Sequence, residues 1–360
     1  MAAKTETAGR APAAMKALEL TEYRKLIFRD GVDVPRPADD ELLVRVRSVG
    51  ICGSDIHGYD GSTGRRIPPV IMGHEASGEV VEAGARCERF AAGDRVTFDS
   101  TLNCGECSYC RRGRINLCTG RRVLGVSCDE YRQNGAFAEY VVVPERATYR
   151  LPDAVSFDHG AMVEPVSIAV HAVNLTPRTV GDSVLVVGAG LIGLLTVQVL
   201  RSAGYGPIIV SDIAEERLAK ARELGADITL DARSTDVPAA VVEASGGLGA
   251  ASAIDAVGSE VSADAAIHSV RRGGFITLVG NLSPKIAVPL QYIVNRELTV
   301  QGSCASSGEY PACLDLIERG AIDLDGMISE RIGLEEGAKW FERLHAGAPE
   351  VFKVIMHPAG

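Results

Sequence analysis

Between residues 15 and 150, apolar and polar positions alternate in short runs. Examples are Glu41-Leu-Leu-Val-Arg-Val-Arg47, Ser77-Gly-Glu-Val-Val-Glu82, Asp94-Arg-Val-Thr-Phe98 and Ala138-Glu-Tyr-Val-Val-Val143. A period of two with many β-branched residues predicts strands, and Pro35-Arg-Pro37, Pro68-Pro69 and Gly93-Asp94 mark turns between them. This half reads as an antiparallel barrel or sandwich. After Leu151-Pro152 the pattern changes. Ser183-Val-Leu-Val-Val187 is a fully apolar strand, Leu191 to Leu200 an apolar helix, Ile208-Ile-Val210 a strand and Ala214 to Leu224 a helix. Further strand-like runs at 227–230, 252–257, 274–279 and 298–302 are separated by helical stretches. Strands alternating with helices build right-handed βαβ units and a parallel sheet covered on both faces. Six such strands fit a doubly wound dinucleotide fold. A last helix at 311–318 and a strand at 351–356 are expected to return to the first domain.

Residues 1–14 are polar and rich in Ala and Thr, without the apolar core of a secretory signal, and read as a disordered extension. Across 360 residues, 37 Lys+Arg against 47 Asp+Glu leave a formal charge of −10, which offers no footprint for nucleic acid or an anionic membrane surface. No apolar run reaches the ~18 residues of a membrane span. Nine cysteines without a secretion signal point to a reducing compartment, and with the acidic charge to the cytoplasm.

Gly188-Ala-Gly190-Leu-Ile-Gly193 follows the apolar strand and opens the apolar helix. The first Gly makes a tight turn, the second lets the backbone approach a pyrophosphate, and the third allows close helix–strand packing. Asp212 ends the next strand, where a carboxylate meets the ribose hydroxyls and repels a 2′-phosphate. The expected cofactor is therefore NAD. Arg217, five residues on, is the one nearby group that would accept a phosphate instead.

Cys104, Cys107 and Cys110, with Cys118 beyond, bring four thiols within reach of one tetrahedral ion. Four thiolates close a zinc site completely, so this metal is expected to be structural. Cys52, His74 and Glu75 make a second candidate set. One thiolate, one imidazole and one carboxylate would leave zinc an exchangeable position, as a catalytic Lewis acid requires.

Ile51-Cys-Gly-Ser-Asp-Ile-His57, Gly73-His-Glu-Ala-Ser-Gly78, the four-cysteine lobe and the glycine fingerprint follow in one order. Together they resemble the zinc-dependent medium-chain dehydrogenase/reductase family, over nearly the whole chain from Met15 to His357. Met162-Val-Glu164-Pro-Val-Ser-Ile-Ala-Val-His171 is most similar to the sorbitol (polyol) dehydrogenase branch. The resemblance implies a GroES-like catalytic domain over 15–158 and 300–360, with a structural zinc lobe at 103–119. Over 159–299 it implies an inserted Rossmann NAD-binding domain. It gives two zinc ions per subunit and assigns Cys52 and His74 to the catalytic one, with Glu75 or Glu164 completing the set. Ser54 becomes the hydroxyl beside the reacting oxygen and His57 an outer proton carrier. Leu191, Ile192, Arg217, Val279, Gly280, Asn281, Ser303 and Cys304 join the glycines and Asp212 around the dinucleotide. Two departures stand out: sorbitol dehydrogenases carry Tyr where this chain has Gly58, with Tyr59 one place on, and a polyol-binding Arg where it has Ala305.

The expected activity is reversible NAD-linked oxidation of a secondary alcohol, on a polyol or sugar derivative, by a homotetramer or dimer acting on a small molecule. Threonine or butanediol dehydrogenation uses the same machinery with another pocket. A sugar phosphate is a third substrate class, with Arg65-Arg66 to grip the phosphate against the simpler reading of two solvated arginines. A non-enzymatic nucleotide-binding protein of this fold should have lost an inner ligand, and none is missing.

Overall fold

The computed structural model describes residues 11–179 and 181–359, so most of the expected N-terminal extension lies outside the described residues. The chain divides into two compact units. The first runs to Glu164 and takes in Tyr310–Glu318 and everything from Leu324; the second is Pro165–Glu309 with Arg319–Asp323.

In the first unit, the strand Glu41–Gly50 is the spine of a seven-stranded sheet. Glu75–Ala83 lies antiparallel along one side of it, followed by Arg95–Phe98 and Thr148–Arg150. The other side is shared: Tyr140–Pro144 pairs with its first half, and Lys353–His357 with Val49 and Gly50. Ile328–Gly333 runs parallel to Lys353–His357 at the edge. The C-terminal strands Ile328–Gly333 and Lys353–His357 therefore lie in the first unit. Alternating side chains from these strands, among them Leu42, Val44, Val46, Phe98 and Val143, form a core with almost no exposure. The register matters for chemistry. Gly50 stands opposite Glu75 on one side and Ile355 on the other, so residues of two distant strands meet across a glycine.

The second unit holds a six-stranded, all-parallel sheet. Its order is Ile228–Asp231, Ile208–Asp212, Val184–Val187, Ala250–Asp255, Val270–Leu278 and Thr299–Gly302. The three central strands are buried along their whole length, which is why they read as continuous apolar runs and not as alternation. The order reverses at Val184–Val187, the position where doubly wound sheets bind ligands beyond their strand C-termini. Parallel pairing of Thr299–Gly302 with Val270–Leu278 keeps that strand in this unit, so the boundary expected at 299/300 falls instead after Glu309.

Candidate active site

Cys52 caps the N-terminus of the helix Gly53–Tyr59, His74 ends the short connection after the strand Val70–Ile71, and Glu75 opens the strand Glu75–Ala83. One ligand atom from each of the three lies within 4.8 Å of the others. Glu75 is thus a buried strand residue. On the His74 ring, Nε2 lies 3.4 Å from Ser54 Oγ. Nδ1 lies 3.3 Å from Asp55 Oδ1, within ion-pair reach but off the line of a hydrogen bond. Asp55 Oδ2 accepts the Cys52 amide at 3.2 Å, and Oδ1 also accepts Arg66 Nη2 at 3.3 Å.

The buried charges are matched in pairs. Burial alone would raise the pKa of Asp55, yet His74 and Arg66 bring it down to about 2. For His74, burial pulls down while Asp55 and Cys52 push up, and the net shift in the metal-free protein is well upward. Lys353 donates to Glu75 Oε2 and, at 3.1 Å, to the Ile51 carbonyl. Burial opposes the charge on Lys353, but Glu75 outweighs it and raises its pKa. Glu164 is different: burial, with Glu75 and Asp99 adding repulsion, pushes it up to about 8. Sulfur, imidazole and carboxylate donors on one enclosed spot fit a zinc ion with room for an exchangeable ligand.

Cys104, Cys107, Cys110 and Cys118 also converge, all four sulfurs within 4.8 Å of one another. Backbone amides point at them: Cys104 N donates to Cys118 Sγ at 3.2 Å and Cys107 N to Cys104 Sγ at 3.4 Å. The amides of Cys110 and Thr119 lower Cys107 to about 5, so it is a thiolate at neutral pH. Four sulfurs in this cage fit a closed zinc site.

In the second unit, Gly188 turns the chain at φ 93°, and any Cβ on Gly193 would overlap the Gly188 carbonyl. Gly190 caps the helix Leu191–Ser202 without a side-chain bond, and a Cβ there would meet nothing within 4 Å. Uncapped helix amides beside open space fit a pyrophosphate. Leu191 and Ile192 are half-buried at the helix start. Asp212 Oδ2 accepts the Ala189 amide at 2.6 Å and Oδ1 the Ala214 amide at 2.9 Å, which fixes the carboxylate beside the glycine turn. Arg217 is half-buried on the helix Glu215–Glu223. Val279 and Gly280 both donate to the Asp255 carbonyl, with Asn281 exposed beyond them. Ser303 donates to the Leu278 carbonyl at 2.8 Å, Cys304 is exposed, and Ala305 sits at φ 51°. All these segments follow strand C-termini on one edge of the parallel sheet.

The chain matches the alcohol dehydrogenase GroES-like domain over residues 38–153 and the zinc-binding dehydrogenase domain over residues 192–319. It is 35% identical to D-arabitol-phosphate dehydrogenase of Enterococcus avium, over 90% of this chain and 92% of that protein. The protein belongs to the zinc-type alcohol dehydrogenase family. It is also 31% identical to sorbitol dehydrogenase of Bacillus subtilis, over 96% of this chain and 98% of that one. Among solved structures, a Sinorhizobium meliloti protein described as a zinc-binding dehydrogenase and bound to NADP superposes with a TM-score of 0.88. It shares 35% identity, over 96% of this chain and all of that one. As a member of this family the chain is an oxidoreductase, and among the described residues no helix is long and apolar enough to cross a membrane.

The structure redirects two residues of this family member. Arg66 is buried against Asp55 and cannot serve as a phosphate clamp; Arg65 alone stays exposed, 3.5 Å from Tyr131 Oη. Tyr59 is a core residue whose hydroxyl donates to the Arg24 carbonyl and whose ring packs on Phe341, so it does not shape a substrate pocket. His57 is exposed one turn after Ser54, its ring without a hydrogen-bond partner among the described residues. Sequence reasoning missed Asp55 and Lys353, and it gave Arg66 a different role. The trace of Lys353 was legible, as a single charge inside Val351-Phe-Lys-Val-Ile-Met356, but nothing in the pattern named its partner.

Proposed function

We propose that this chain catalyses the reversible, NAD-linked oxidation of a secondary alcohol on a polyol or sugar derivative to a ketone. The observation that carries the reading is the convergence of Cys52, His74 and Glu75 with the Ser54 hydroxyl beside His74 Nε2. Cys52 and His74 would hold the catalytic zinc, Glu75 or Glu164 would complete its set, and Cys104, Cys107, Cys110 and Cys118 would hold the structural one. Zinc in the first site supplies Lewis acidity to an alcohol hydroxyl, and NAD supplies the hydride acceptor. Ser54 takes the alcohol proton at its Oγ. His57, a turn later on the same helix and open to solvent, passes it outward. Glu164, buried close enough to His74 and Glu75 to feel both charges, offers a second carrier for that proton. Gly188, Gly190 and Gly193 would seat the pyrophosphate, with Asp212 at the adenosine ribose and Val279, Gly280, Asn281, Ser303 and Cys304 towards the nicotinamide.

NAD is preferred although the Sinorhizobium relative was solved with NADP, because the Asp212 carboxylate is held in place by two amides. Similarity to the arabitol-phosphate enzyme favours testing sugar phosphates as well, with Arg65 as the remaining cation. The acidic composition, and cysteines that form no disulfide among the described residues, support a cytoplasmic enzyme. The reading carries with it a homotetramer or dimer.

The test is zinc content per chain together with NADH formation on a panel of polyols, sugar phosphates, butanediol and threonine. Two zinc ions and turnover of a polyol are expected. A protein that binds NAD and two zinc ions but reduces it with none of these alcohols would overturn the reading.

A further inference from the structure

We propose that Arg66 is a positioning residue of the Cys52–His74 metal site, acting through Asp55, and that Gly58 is the opening through which it reaches. The proposal rests on the reading that His74 binds zinc.

Arg66 comes from the loop between the helix Gly53–Tyr59 and the strand Val70–Ile71. Only 6% of its side chain is exposed, and a cation buried to that extent needs a paired charge. The loop is fixed in place, since Ile67 donates to the Ser127 carbonyl at 2.8 Å and Ser127 to the Arg65 carbonyl at 3.2 Å. From there the aliphatic stem crosses Gly58. A Cβ at position 58 would overlap Arg66 Cγ and lie 3.0 Å from its Cβ, the near end of the side chain, which cannot swing away cheaply. The stem and any side chain at 58 therefore exclude each other.

Beyond Gly58, Arg66 Nη1 donates to the Arg65 carbonyl at 3.2 Å and Nη2 to Asp55 Oδ1 at 3.3 Å. That oxygen is the one facing His74 Nδ1, while Oδ2 accepts the amide of Cys52. One guanidinium thus holds the carboxylate that touches two proposed ligands, the ring of one and the backbone of the other. Asp55 is fully enclosed, so without Arg66 its charge would rest on the His74 ring alone and its rotamer would lose one of three anchors. Groups that orient ligands from behind set how firmly a metal is held.

The test follows zinc release from loaded protein to excess pyridylazoresorcinol. The pool missing from Cys52→Ser marks the site; if Cys52→Ser removes no pool, both the metal reading and this proposal fall. With the pool assigned, Arg66→Met should release it about tenfold faster while the four-cysteine pool is unchanged. Arg66→Lys should stay within about threefold of the native rate, because a single contact asks for charge more than for a planar fork. Gly58→Ala should match Arg66→Met although the arginine is present, and the double variant should add little. With cobalt in place of zinc, the visible absorption of the Cys52 site should shift in Arg66→Met and Gly58→Ala. If Arg66→Met does not fold, Gly58→Ala and Arg66→Lys give the same decision. Variants that melt earlier yet keep the native release rate and cobalt spectrum would show that Arg66 only packs, and the proposal would fail.

Discussion

Lys353 and Glu75 form an ion pair with about 1% exposure on either side chain, joined across Gly50 although they stand 278 residues apart in the chain. A Cβ on Gly50 would overlap the Glu75 carboxylate, so the pair needs that glycine. Removing one partner leaves a buried charge uncompensated. Lys353→Met should therefore cost about 3–5 kcal/mol in urea unfolding, and adding Glu75→Gln should recover much of the loss. A Lys353→Met protein as stable as the native one would show that the pair carries no weight in the fold.

The two metal sites should separate. Cys52→Ser should abolish turnover and leave one zinc per chain, while Cys107→Ser should lower stability and leave residual turnover in whatever stays folded. The metal-free lobe adds a chemical signature. Cys107, drawn to about 5 by backbone amides, should be the first thiol of the four to react with iodoacetamide at pH 6.5, and Cys110, raised to about 12, the last. Peptide mapping after partial alkylation reads the order directly. Full loss of turnover in well-folded Cys107→Ser protein would contradict a structural role.

Cofactor choice should follow Asp212. A 2′-phosphate brought against a carboxylate fixed by two amides meets Coulomb repulsion, so kcat/KM with NAD should exceed that with NADP at least ~100-fold. Asp212→Ala should narrow the gap. Equal use of both cofactors by the native enzyme would shift the phosphate-facing role to Arg217.

The proton path has two candidate carriers that can be told apart. If His57 carries the proton, His57→Ala should lower kcat at pH 7 by roughly 10–100-fold, with added imidazole restoring part of it. If Glu164 does, His57→Ala is nearly silent and Glu164→Gln carries the loss. Glu164 also leaves a mark on stability. Its folded pKa of about 8 lies above the ordinary 4.5, so the folded metal-free chain keeps a proton that the unfolded chain gives up. Stability should then fall as pH rises from 4.5 to 8, and Glu164→Gln should flatten that slope in thermal melts of metal-free protein.

Local pattern alone determined a good deal of this protein. Fully apolar strands, alternating strands and glycine spacing depend on neighbours a few residues away, so Val184–Val187, the Gly188 turn, the parallel sheet and the cysteine lobe were all legible in the amino-acid sequence. Cys52, His74 and Glu75 could be nominated because their local motif is specific. Which charges balance them was decided by tertiary structure. Asp55 meets Arg66 only because a loop crosses Gly58, and Glu75 meets Lys353 only because two strands flank Gly50. The same packing put Tyr59 in the core and took Arg66 out of solvent, against the reading of two solvated arginines. Burial makes the difference: a charge on a loop can stay solvated wherever the chain puts it, but an enclosed charge needs a partner, and the register of distant strands and loops supplies one.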